Sequence, residues 1–250
     1  MKVGNAQRGK RGHMRTIRTI FAAALMLAVC GLRAGAAPEV PAATPTGIKL
    51  DTSWKRQVYA FVLENGAHPA WGMAHAERDY QLAGQLAGKE GIQLDDDALF
   101  AAAFLHDIGA LPKYFKTDAD HAARSAELAE PLLRQWGFPM SKWPLVKDLI
   151  LGHNYYAPAP ASRAAQAFRD ADMLDFLGAI GAARILALTE ERDGVKGALA
   201  GPAAMLKGFA ADLPGKFSLP ASREIAAKRL SELEQFLKTL DEESFAGAAL

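Results

Sequence analysis

From residue 52 onward the chain repeats its apolar residues at spacings of three and four, the period of an α-helix, and no stretch alternates at two like a half-buried strand. Val58, Phe61 and Val62 mark a first helix, and Ala74 to Glu90, with Tyr80, Leu82, Ala83, Leu86 and Ala87 along one side, a second. Asp95, Asp96 and Asp97 place carboxylates where the positive end of a helix favours them, and the apolar run Ala98 to Leu105 predicts a third helix with His106 at its far end. A fourth spans His121 to Trp136 and is stopped by Gly137-Phe138-Pro139. Ser141 is placed to cap a fifth that runs to about His153 and ends before Pro158 and Pro160. Ala161 to Leu177, Gly181 to Glu190 and Ser222 to Leu240 also read as helices, whereas residues 193–220, rich in Gly, Pro and Lys, carry no sharp pattern. The expected fold class is all-α, a helical bundle with an additional C-terminal helix.

The first fifth of the chain lacks this pattern. A basic stretch precedes an apolar run from Ile20 to Val29 and the small residues Ala34 to Ala37, the three-part layout of a secretory signal peptide over residues 1–36. Cleavage is expected near Ala36, because a cut one residue later would leave Pro38 just after the scissile bond. A start at Met14 would still keep Arg15 and Arg18 as a sufficient basic region. About ten apolar residues fall short of the roughly twenty that span a bilayer, so the expectation is an exported, periplasmic protein with no membrane attachment once the leader is removed. Residues 37–51, rich in Pro, Ala and Thr, read as a disordered tether. The main domain is expected at 52–190, with 191–250 as a C-terminal loop and helical extension packing on it.

Charge and cysteine content narrow the function classes. Of the 29 basic residues seven lie in 1–36, where there is no acidic one, leaving 22 against 28 acidic residues in the rest, a net of −6. Such a body has no general attraction for a nucleic-acid duplex or an anionic membrane, so any phosphate chemistry needs a local site. Cys30, the single cysteine, falls in the leader, and Val29 before it departs from the small residue that precedes a lipidated cysteine. The mature chain then has no disulfide and no thiol nucleophile.

His106-Asp107 closes an apolar helix, and Gly109 lets the backbone turn away directly afterwards. A charged pair beside a buried face is costly unless it is paired or binds a metal, although the dipeptide alone also suits an exposed helix end. His75 near the start of the preceding helix and Asp172, in the acidic run Asp170-Ala171-Asp172-Met173-Leu174-Asp175, complete a possible set. Four nitrogen and oxygen donors from three helices suit a hard or borderline divalent ion with positions left for water.

The order His, His-Asp, then a distant Asp resembles the HD-domain superfamily of metal-dependent phosphohydrolases, over about His75 to Leu188. The resemblance implies metal ligands at His75, His106, Asp107 and Asp172, with Asp107 or Asp172 orienting a metal-activated water. It leaves Asp170 and Asp175 as supports of the ligands or as solvated charges. His121, in Asp120-His121-Ala122-Ala123-Arg124, and His153, in Leu151-Gly152-His153-Asn154, fall where two-metal members supply further ligands; Asn154 stands where the second histidine of a pair would be. His121 and His153 are therefore read either as ligands of a second ion or as substrate contacts. His68 reads as a loop residue.

A phosphate would need cationic contacts, and Arg78, three residues after His75, is the first choice, followed by Arg124 and Lys113. The implied cofactor is a divalent ion among Mn, Mg, Co, Ni, Fe and Zn. The implied partner is a small molecule, a nucleotide or another small phosphoester. Two alternatives remain: a metal-dependent hydratase of a small nitrile-like molecule, similar to the cyanamide hydratases of the same superfamily, and a non-catalytic metal-stabilised binding module.

Overall fold

A computed structural model of the protein describes residues 40–192 and 195–250; the leader expected at 1–36 lies outside the described residues. The fold is a bundle of α-helices, joined by one short hairpin late in the chain. Ser53–Asn65 (α1) starts at Thr52, whose side chain accepts the Lys55 N–H. Met73–Glu90 (α2) ends at Gly91, which takes the left-handed conformation (φ 62°) that favours glycine. Asp96–Leu105 (α3) is capped by Asp95, His121–Gln135 (α4) by Asp120, and Arg163–Leu174 (α6) by Ser162. Between α4 and α6 lies Trp143–Gly152 (α5).

The organising element is α3, in which every residue from Ala98 to Leu105 is buried. A helix that is apolar all round has no solvent face and must sit inside the bundle. It packs against α1, α2 and α5, while α6 lies along α2 and α5. Phe100 anchors its start, stacked on Phe104 with ring centroids 4.5 Å apart and meeting Trp54 edge-on at 5.5 Å. The end of α3, carrying His106, is thereby delivered to the middle of the bundle.

Several expectations are corrected. The tether expected at 37–51 is, from Val40 on, a docked segment: Ile48 and Leu50 are buried, and Ala43 pairs with Lys49 around a turn at Gly47. Two apolar side chains, together with Thr46 donating from its N–H and hydroxyl to the Glu77 carboxylate on α2, offset the entropy of ordering it. Ser141 is not the cap of α5; it lies in a 3-10 turn, Met140–Lys142, that leads into the helix, and Pro144 in the first turn needs no amide partner. After Gly178–Leu186 (α7), the strands Glu190–Arg192 (β1) and Val195–Ala198 (β2) form an antiparallel hairpin with Arg192 opposite Val195, where the sequence shows no alternation. The patternless stretch also contains a helix, Ala200–Asp212 (α8), obscured by Gly201, Pro202 and Gly208.

The last helix, Pro220–Glu243 (α9), packs on α7, α6 and α8. Its start is held by a carboxylate from another element. Asp170 on α6 accepts the N–H groups of Ser218 (3.0 Å) and Leu219 (2.8 Å) and the Ser222 hydroxyl (2.5 Å). Asp170 therefore serves the fold, and burial raises its carboxyl pKa despite these bonds. Replacing Asp170 by Ala leaves those donors unpaired, and a loss of about 3 kcal/mol is expected in denaturant unfolding, with faster hydrogen exchange at the start of α9. A loss below about 1 kcal/mol would refute this role.

Candidate metal centre

Three helices converge on one point. His75 stands in the first turn of α2, His106 follows α3, and Asp172 lies in the last turns of α6. Asp107 then leaves the helix with φ −104° and ψ 6°, beginning a tight turn over Ile108–Ala110. Gly109 makes the turn possible: a Cβ there would stand 2.5 Å from the His121 carbonyl and 2.8 Å from the Ser125 N. Its own N–H donates to the Ser125 hydroxyl at 2.9 Å, so α4 starts against the turn and brings His121 beside Asp107.

The imidazoles are held in one sense. His106 Nδ1 meets the Ala103 carbonyl at 3.0 Å, and His153 Nδ1 meets the Ile150 carbonyl at 2.5 Å. A carbonyl only accepts, so each Nδ1 carries the proton and each Nε2 lone pair faces the centre. His75 Nδ1 lies 2.8 Å from Asp175 Oδ2 and 2.9 Å from Arg184 Nη1, and its Nε2 also faces the centre. That carboxylate also receives Arg78 through Nε (2.7 Å) and Nη2 (2.8 Å), and Arg184 through Nη1 (2.6 Å). Burial opposes its charge, but His75 and Arg78 hold the Asp175 carboxyl below the usual range.

The inward-facing atoms are spaced as ligands. From His75 Nε2 it is 3.3 Å to His106 Nε2, 3.3 Å to Asp172 Oδ1 and 3.5 Å to Asp107 Oδ2. Metal–ligand bonds of about 2.1 Å place neighbouring donors roughly 3.0 to 3.4 Å apart. Two groupings emerge, each with ligand atoms all within 4.8 Å of one another: His75, Asp79, His106 and Asp172, and then His106, Asp107 and His153. Asp107 faces both, with Oδ2 3.3 Å from His106 Nε2 and Oδ1 3.6 Å from His153 Nε2. His121 Nε2 is 3.0 Å from His153 Nε2 and 3.9 Å from Asp107 Oδ1. Burial and then His153 keep His121 below the ordinary histidine pKa. Burial disfavours charge on His75, yet Asp79, Asp107 and Asp172 raise its pKa well above the ordinary value.

Asp79 is the residue the sequence reading missed. It lies one turn after His75 and is fully buried, and neither carboxylate oxygen accepts a hydrogen bond. An aspartate at a core position of α2, in line with Leu82, Ala83 and Leu86, was the available signal. The orphaned oxygens, the converging Nε2 lone pairs and the mixed imidazole–carboxylate donors all suit a divalent cation.

A cavity of about 200 Å³ opens onto the centre, lined by Asp107, Asp172, His121, His153 and Asn154 on one side and by Trp71, Tyr155, Tyr156, Phe176, Met205 and Phe209 around them. Among the described residues no Lys or Arg lines it directly, and Lys216 Nζ lies over the rings of Tyr155 and Tyr156, 5.2 and 5.6 Å from their centroids. Arg78 is turned behind His75 onto Asp175, which corrects its expected phosphate contact: the buried carboxylate captures the guanidinium. Arg124 reaches Glu127 at 3.1 Å and Lys113 reaches Asn65 at 2.9 Å, so neither meets the cavity. Asn154 donates to Asp120 at 2.6 Å and accepts the Tyr156 N–H, shaping the loop rather than adding a ligand. His68 accepts the Trp71 N–H and stacks on its ring at 4.5 Å, fixing one wall.

A family model described as the HD domain matches residues 72–177. No curated protein matches the chain in sequence. Among solved structures, the chain is similar to a Lactobacillus plantarum protein (22% identity, TM-score 0.57, covering 77% of this chain and 97% of that one). It is also similar to a predicted HD superfamily hydrolase from an uncultured Thermotogales bacterium (28%, TM-score 0.52, covering 75% and 91%). A third is Bacillus subtilis YpgQ in complex with ADP (20%, TM-score 0.54, covering 76% and 95%).

Changing Asp175 to Asn removes the charge shared by His75, Arg78 and Arg184 and puts an NH2 donor where one of the two acceptor oxygens stood. Metal affinity is expected to fall roughly 10- to 100-fold, as for other groups that orient a ligand. Titration calorimetry checks this, and an unchanged affinity would show that Asp175 does not orient His75.

Proposed function

With residues 72–177 an HD domain, the chain belongs to the HD-domain superfamily of metal-dependent phosphohydrolases, and we propose that it hydrolyses a nucleotide or another small phosphoester. The observation that carries this reading is the pairing of a buried His–Asp centre with a cavity whose other walls are mostly aromatic. Flat apolar walls suit a nucleobase, and the centre suits the charged end of the same molecule. The ADP held by the structurally similar Bacillus subtilis protein supports a nucleotide.

In this reading His75, His106, Asp107 and Asp172 hold the divalent ion. When bound, the ion supplies Lewis acidity, making water a nucleophile near neutral pH and drawing charge from the oxygen under attack. Asp107 and Asp172 both line the cavity and orient the attacking water. His121 and His153 present Nε2 toward Asp107 Oδ1, where they either meet the phosphate oxygens or hold a second ion. Metal analysis separates these roles, with one ion per chain assigning them to the substrate and two assigning them to a second site. The leader read at 1–36 adds export, which favours salvage of monophosphates over cytosolic triphosphates.

One observation favours a second reading. A cavity that no Lys or Arg lines directly among the described residues suits an uncharged substrate, as in hydration of a small nitrile. A panel of nucleoside monophosphates, simple phosphoesters and nitriles, run with each divalent ion, distinguishes the two. The expected result is phosphoester turnover that falls at least about a thousandfold in His106→Ala. Tyr156→Ala, at a residue 74% exposed and so dispensable for folding, should raise KM about tenfold for a nucleotide and leave simple phosphoesters unaffected, since stacking contributes about 1–3 kcal/mol. Turnover confined to nitriles would overturn the phosphoester reading.

A further inference from the structure

Asp79 is the most conspicuous polar group that the ligand set His75, His106, Asp107 and Asp172 leaves without a task. Its carboxylate is fully buried and takes no hydrogen bond, an arrangement that is costly unless a counter-charge is present. The groups that face it are the imidazoles of His75 and His106. Arg78 and Arg184 are both committed to Asp175, and no Lys or Arg forms an ion pair with Asp79, Asp107 or Asp172 among the described residues. Three carboxylates thus surround a pair of imidazoles whose Nε2 atoms point inward. Asp79 Oδ2 lies 3.1 Å from His75 Nε2 and 3.6 Å from His106 Nε2, inside the same 4.8 Å grouping as Asp172.

We propose that Asp79 is a direct ligand of the divalent ion, alongside His75, His106 and Asp172. This rests on the reading that those residues hold the ion. A third carboxylate takes a position that water would otherwise fill and hardens the donor set, so that Mn²⁺ or Mg²⁺ is favoured relative to a site with fewer oxygens. The i, i+4 spacing of His75 and Asp79 on α2 presents both donors from one helix face, with no backbone movement needed.

Asp79→Asn keeps the shape and removes the charge. With metal-free protein, calorimetric titration should show Mn²⁺ affinity down about a hundredfold and Zn²⁺ affinity down less. The melting temperature in chelator should be unchanged or higher, because a buried unpaired charge is gone. Wild-type Mn²⁺ affinity in Asp79→Asn, with affinity lost in His106→Ala, would overturn the role of Asp79 and leave the centre intact. Wild-type affinity in both variants would instead overturn the centre. If Asp79→Asn does not fold, a crystal structure of the wild-type protein with Mn²⁺ decides: an Asp79 oxygen within about 2.3 Å of the ion is expected, and one beyond 3 Å refutes the proposal.

Discussion

Asp175 joins two otherwise separate problems, the burial of charge and the orientation of a ligand. Its carboxylate lies at the end of α6 and receives Arg78 from α2, Arg184 from α7 and His75 Nδ1. Arg184 in turn lies over the Phe176 ring, 4.5 Å from its centroid, so the cluster is walled by an aromatic that also lines the cavity. Such a cluster is costly to dehydrate and costlier to break, since removing one member leaves the others buried without a partner. The position of His75, and through it the inward-facing Nε2, depends on this arrangement.

The apolar helix α3 supplies the complementary constraint. Because all of its residues from Ala98 to Leu105 are buried, the helix cannot shift without opening the core, and His106 at its end is fixed in depth. The Ala103 carbonyl one turn earlier fixes its tautomer. Gly109 then allows α4 to close on the turn and set His121 against Asp107. The centre is therefore a product of packed secondary structure, with the loops left to shape the entrance.

The C-terminal region shapes that entrance from outside residues 72–177. Met205 and Phe209 on α8 reach the cavity, and Phe209 packs on Phe176 at 4.5 Å between ring centroids. Asp170, two residues before a metal-facing aspartate, holds the start of α9. On a helix, residues two apart point in nearly opposite directions, so α6 serves the site with Asp172 and Asp175 and the scaffold with Asp170.

Helical periodicity was enough to determine the fold class, because a 3.6-residue apolar repeat is a local property of the chain. The acidic start of α3 and the His-Asp pair at its end were legible for the same reason. The docking of residues 40–51 was not, since two buried side chains in a Pro- and Ala-rich stretch make no period. Nor was α8, whose glycines and proline hide a helix stabilised by packing. Arg78 was placed on the right helix face but given the wrong partner, because only the fold shows that Asp175, 97 residues away, reaches it first. Asp79 lay in plain sight one turn after His75, yet its meaning depends on having no hydrogen-bond partner, and that is decided by everything packed around it.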